Sequence, residues 1–132
     1  MPQIANITVK KNDGTTDIVW TGVVPSSGDK NSAIWRSQTV GLAVGHQPNF
    51  QLSSRNNGTA TARRMDGQVA YPYVVTGSDG KMVVQDRALI QIGGVIPLGM
   101  PITDINECVS QAMNLFVSTL IKDCFKAGYS AT

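Results

Sequence analysis

The residues best suited to chemistry fall in one stretch, FQLSSRNNGTATARR, at positions 50–64. Asn56-Asn57-Gly58 divides it into two strand-like runs. A two-residue turn at Asn57-Gly58 would set Leu52 opposite Arg63 and Ser53 opposite Ala62, mixing polar and apolar on both faces. A three-residue loop, with Gly58 in the left-handed conformation, sorts them. Arg55 then faces Thr59, Ser53 faces Thr61 and Gln51 faces Arg63, with Phe50, Leu52, Ala60 and Ala62 behind. Side chains alternate with period two, so a one-residue slip would scramble this separation. The expected front holds arginine, threonine, serine and glutamine side chains and no acid. Such a surface suits phosphate and bases: guanidinium groups pair with phosphate oxygens and stack on rings.

Other chemistries lack their residues. His46 is the single histidine and sits in a Gly/Pro loop, GHQP, where it reads as a surface residue. One histidine with scattered acids builds neither a catalytic triad nor a His-rich metal site. Gly93-Gly94 lacks the pattern of a phosphate-binding loop and reads as the end or a bend of a strand. Cys108 and Cys124 lie in the most apolar part of the chain and are expected to be buried free thiols. No enzyme, cofactor, metal or small-molecule substrate is expected.

Totals set the frame for these residues. The chain has 132 residues, is 42% hydrophobic and 15% charged, and carries a formal net charge of +2. That length predicts one domain, 1–132, with a modest core. The charge is unevenly distributed: Lys30, Arg36, Arg55, Arg63 and Arg64 lie between Asp29 and Asp66 with no acid among them. Residues 1–20 lack a basic start followed by an apolar run, so no signal peptide is expected. No apolar run approaches the ~18 residues of a membrane span. The protein is expected to be intracellular in the place where it is made.

The elements that must position the front are mostly strands. Residues 4–10 and 15–21 flank Asn12-Asp13-Gly14, a strong hairpin signal, with Ile7 and Val9 across from Ile18 and Trp20. Residues 33–44 lean towards strand through Ile34, Trp35, Val40, Leu42 and Val44. After the central hairpin, Met65-Asp66-Gly67 reads as a bulge or turn. Residues 68–76 then place Val69, Tyr71, Tyr73 and Val75 on one face, which makes the tyrosines look like core, while Pro72 marks an edge or irregularity. Residues 81–92 form the longest strand, apolar at Met82, Val84, Ala88, Ile90 and Ile92 and polar at Gln85, Arg87 and Gln91. From Thr103 or Asp104, either of which can cap, apolar residues follow at helical spacing through Ile105, Val109, Met113, Phe116 and Leu120. Ser118-Thr119 could divide this into two helices, and Gly128 is a stop. The fold class is therefore α+β: an N-terminal hairpin (1–21), an antiparallel main sheet of about five strands (33–94), and one or two C-terminal helices (103–127). The helical stripe is too wide for a single surface-packed helix. Burial against a second chain, in an intertwined homodimer with a continuous sheet, is the simple solution.

In order and length the chain resembles the coat proteins of single-stranded RNA bacteriophages. The likeness spans the immediate hairpin ITVKKNDGTTDIVW, the short strand in NSAIWRSQ, the pair FQLSSRNNGTATARR, the long strand VVQDRALIQIG, the helical end TDINECVSQAMNLFVSTLIKDCFKAG and Tyr129. The resemblance implies a capsid protein that dimerises and assembles into an icosahedral shell, made in the bacterial cytoplasm and found in the virion. It places genomic single-stranded RNA, and often a translational operator hairpin, on the inner sheet face. It puts the 77–80 loop at contacts around the shell's symmetry axes. The matching RNA-binding positions are Gln51, Ser53, Arg55, Thr59, Thr61 and Arg63, with Gln85, Arg87 and Gln91 on the long strand. The chain departs from the family in offering no clear tyrosine to stack on a base. A dimeric RNA-binding regulator that forms no shell is the competing reading.

Overall fold

The computed structural model describes residues 2–37 and 43–132. Two compact units emerge, Met1–Val95 and Ile96–Thr132. The first is a six-stranded antiparallel sheet in sequence order: β1 (Ile7–Lys10), β2 (Asp17–Val24), β3 (Ala33–Arg36), β4 (Asn49–Asn56), β5 (Ala62–Thr76) and β6 (Met82–Pro97). The second holds two helices, α1 (Ile102–Phe116) and α2 (Thr119–Ala127).

The first hairpin follows its sequence. Ile7 pairs with Trp20 and Val9 with Ile18. Asp13 closes the turn by accepting from the amides of Thr15 and Thr16 and from the Thr16 hydroxyl. Gly14 takes φ 75°, a left-handed value that costs glycine little. Strand β3 places Trp35 between Gly22 and Phe50. The Trp35 and Phe50 rings stack with centroids 5.4 Å apart, and the indole N–H donates to the Ala5 carbonyl at 2.8 Å. Trp35 is buried, beside the smaller Ala33, Ala62 and Ala70 among the described residues. Burying a side chain of this kind contributes about 1.5–3 kcal/mol, and the indole donor is satisfied as it must be.

Several boundaries differ from expectation. The strand after Asn31 stops at Arg36, and Val44–His46 forms a short 3-10 turn. The expected continuation through Val40 and Leu42 lies outside the described residues. Met65-Asp66-Gly67 is neither turn nor break: β5 runs through it, so two expected strands are one. Likewise β6 passes through Gly93-Gly94 and ends at Pro97. The helical region is two helices, parted at Val117-Ser118, and Gly128 ends α2 at φ 79°. The expected side-chain cap is missing, since Pro101 occupies the N-cap of α1 and Asp104 sits in the first turn.

Neither helix contains a buried residue. Met113, Phe116, Leu120 and Phe125 are exposed, and so is Cys108, contrary to the expectation of a buried thiol; Cys124 is half-buried. Tyr71 and Tyr73, expected in the core, are exposed as well, while their neighbours Ala70 and Pro72 are buried.

Candidate nucleic-acid interface

The pairing of β4 with β5 decides which side chains share a face. It is not the pairing that sorting of the hairpin predicts. Asn56 lies opposite Arg63, Arg55 opposite Arg64, Ser53 opposite Asp66, Gln51 opposite Gln68, and Phe50 opposite Val69. The loop is longer than three residues, and Asn57 organises it. Its amide donates to the Ala62 carbonyl at 3.0 Å, and its side-chain oxygen accepts from the amides of Thr61 at 2.9 Å and Ala62 at 3.3 Å. Ala60, at φ 55°, takes the left-handed position expected of Gly58.

The physical reason lies beyond the hairpin. β5 is continuous to Thr76, and the whole of β4 pairs with it, out to Asn49 with Ala70. Phe50 then shares a face with Val69 while stacking on Trp35. Leu52 sits between Ala33 and Gly67. The extra apolar burial outweighs the neat sorting within the hairpin.

Three expected site residues move as a result. Thr59 and Thr61 are loop residues, their hydroxyls 2.9 Å apart, and do not line a strand face. Arg63 lies on the face of Leu52 and Phe50, away from Arg55. There it binds Asp29 at two points, Nη1–Oδ2 3.0 Å and Nη2–Oδ1 2.7 Å, and donates also to Asn56 Oδ1 and Ser54 Oγ. Arg63 holds the Asp29 carboxyl below the usual carboxylate range, chiefly by hydrogen bonding, and Asp29 raises the guanidinium in turn.

The polar front comprises Gln51, Ser53 and Arg55 on β4 and Arg64, Asp66 and Gln68 on β5. Gln91 joins from β6, its amide 3.5 Å from Gln68 Oε1. Ser32, Gln51, Ser53, Asp66, Gln68, Gln91 and Gly93 line an open concavity of about 380 Å³. Unlike the expected front, this one contains an acid, Asp66, whose Oδ2 stands 3.8 Å from Arg55 Nε. Arg64 makes no ion pair among the described residues. Gln85 and Arg87 are exposed on β6, and the Arg87 amide donates to the Asp86 carboxylate. Arg64, expected on the Phe50 face, and Asp66 and Gln68 reach the front only in the observed register.

The opposite face is apolar. Ile7, Val9, Trp20, Phe50 and Val69 line a second recess of about 320 Å³. Ile90 and Ile92 are exposed on β6.

No protein-family model and no curated protein matches the chain. Solved structures do. A virus-like particle of Beihai levi-like virus 21 superposes with TM-score 0.82 at 15% identity, covering 99% of both chains. A virus-like particle of bacteriophage NT-214 gives TM-score 0.82 at 14% identity, over 99% of this chain and 100% of the other. The chain has the levivirus coat-protein fold. The bacteriophage GA capsid protein shares it at TM-score 0.76 and 21% identity, over 96% of this chain and 95% of that one. Both virus-like-particle matches leave almost none of either chain uncovered. Among the described residues no helix is long and apolar enough to cross a membrane.

Proposed function

We propose that this chain is a phage coat protein that pairs with a second copy, assembles into closed shells and holds single-stranded RNA against its polar sheet face. The observation that carries the reading is the match along the full length of both chains to proteins solved as virus-like particles. Two surfaces support self-association. The apolar recess of Ile7, Trp20, Phe50 and Val69 lies open, and so do the apolar side chains of α1 and α2. A second copy, intertwined with the first across a continuous sheet, supplies cover for both. Exposed apolar area on this scale marks an interaction surface.

The polar face fits RNA in kind. It offers Arg55, Arg64 and, further along, Arg87 to phosphates, and amides and a hydroxyl to bases and 2′-hydroxyls. Each copy brings few charges. A shell repeats them many times, so weak contacts act together along one RNA. Binding of an RNA hairpin on the same face would let a free dimer repress translation of the message carrying it. The protein would be made in the bacterial cytoplasm and reside in the virion.

Expression in bacteria followed by size-exclusion chromatography and electron microscopy tests this. Particles of megadalton size containing nuclease-resistant RNA are expected. A product that remains a monomer or small dimer without nucleic-acid absorbance overturns the coat-protein reading. Empty particles would remove RNA binding and leave assembly standing.

A further inference from the structure

The polar front is graded along the strands. Two arginines, Arg55 and Arg64, stand directly opposite each other near the hairpin loop. One step on, Asp66 stands opposite Ser53, and beyond them Gln51, Gln68 and Gln91 complete a concavity in which Asp66 is the only charged side chain among the described residues. An acid on a face that meets a polyanion is costly unless something donates to it. Its Oδ2 is turned towards Arg55 at 3.8 Å, too long for a hydrogen bond. Its Oδ1 faces Gly93, where an added β-carbon would stand 3.7 Å away. The missing side chain at Gly93 keeps the space over the carboxylate open.

We propose that Asp66 makes this concavity a guanine-selective base site, with Arg55 and Arg64 holding the adjoining phosphate. This rests on the RNA-binding reading above and deepens it. A carboxylate is an acceptor at both oxygens. Guanine alone among the four RNA bases presents two adjacent donors on its pairing edge, N1–H and the 2-amino group, which match those oxygens. Adenine and cytosine set a ring-nitrogen acceptor beside their amino group. Uracil flanks its single N–H with two carbonyls. Each of these three places a lone pair against Asp66. The three glutamines carry both donors and acceptors and can serve the remaining edge of any base, so the discrimination falls on Asp66. Unstacked single-stranded bases are the form in which proteins read these edges.

The test uses the full-length chain and short fluorescein-labelled single-stranded RNAs, identical except for one central base, followed by fluorescence anisotropy at fixed salt. The central bases are guanine, adenine, cytosine, uracil and hypoxanthine, the last lacking the 2-amino group. Wild type is expected to prefer guanine by about tenfold or more, the range of a good two-point base contact. Hypoxanthine should lose most of that preference. Asp66→Asn should abolish it without weakening the adenine RNA, because removing a negative charge does not harm phosphate binding. Gly93→Val, which suits a strand and covers Oδ1, should abolish it too. Arg55→Ala should weaken all five RNAs alike. Equal binding of all five by wild type overturns the guanine site while RNA binding stands, and so does an Asp66→Asn chain that keeps the preference. Failure to bind any of them overturns the site together with the RNA-binding reading.

Discussion

Arg63 and Asp29 form a two-point clasp, Nη1–Oδ2 3.0 Å and Nη2–Oδ1 2.7 Å, that ties the loop before β3 to the start of β5. The same loop donates the Lys30 amide to the Ser54 carbonyl at 2.9 Å. Arg63 is thus committed to the fold, while Arg55 and Arg64 remain on the front. Arg63→Ala should lower the thermal midpoint and leave the salt dependence of RNA binding unchanged. Arg55→Ala and Arg64→Ala should do the reverse, each reducing the slope of log K against log salt by about 0.7, one phosphate contact to a single strand. Affinities measured across a salt series, with thermal melts of the same variants, check this.

Two carboxylates make the β-unit sensitive to acid. Asp13 is drawn down to about 2 by its hydrogen bonds from the Thr16 hydroxyl and the amides of Thr16 and Thr15. Asp29 is lowered by Arg63. A depressed carboxylate stabilises fully above its unfolded value, near 3.9, and loses that contribution as pH falls through its folded value. The turn should therefore hold at pH 4 and open as pH approaches about 2. Side-chain carboxyl NMR titration should give an Asp13 midpoint near 2, and Asp13→Asn should remove the corresponding acid-dependent loss.

Much of this was legible in the residues, and the exceptions share a cause. The hairpin of Ile7 with Trp20 and the Gly128 stop each follow from a local period or a single backbone preference. The β4–β5 register depends instead on Trp35 and Val69, which lie outside the hairpin and reward a longer loop. An error there moved Arg63, Thr59 and Thr61 onto the front and left Arg64, Asp66 and Gln68 off it. Exposure of Tyr71, Tyr73 and Cys108 was equally hidden, since period alone names a face and not what covers it.

Gly67 offers a probe of the apolar side. It is buried opposite Leu52, and a β-carbon there would lie 2.8 Å from Ile92 Cγ1 and 3.3 Å from Phe50 Cε2. Gly67→Val forces those side chains off their positions and should cost about 1–3 kcal/mol, as overpacking does. Urea unfolding measures it. Ile92→Ala in the same chain removes the nearer obstacle, so the double variant should recover part of the loss, a coupling that independent sites would not show.

Arg55 and Arg64 are direct neighbours across β4 and β5, and like charges so placed repel. Asp66, at 3.8 Å from Arg55, offsets this only in part, because the pair is exposed and screened by water. The arrangement is destabilising in isolation and becomes favourable once an anion sits between the guanidinium groups. A ligand that binds only the folded state raises its stability with concentration. A short single-stranded RNA should therefore raise the thermal midpoint of the wild-type chain more than that of Arg64→Ala. Without RNA at low salt, Arg64→Ala should itself melt higher than wild type. Added sodium chloride should narrow that second difference as screening replaces the missing anion. A variant that melts lower than wild type without RNA would show that Arg64 supports the sheet and is not held in reserve for phosphate.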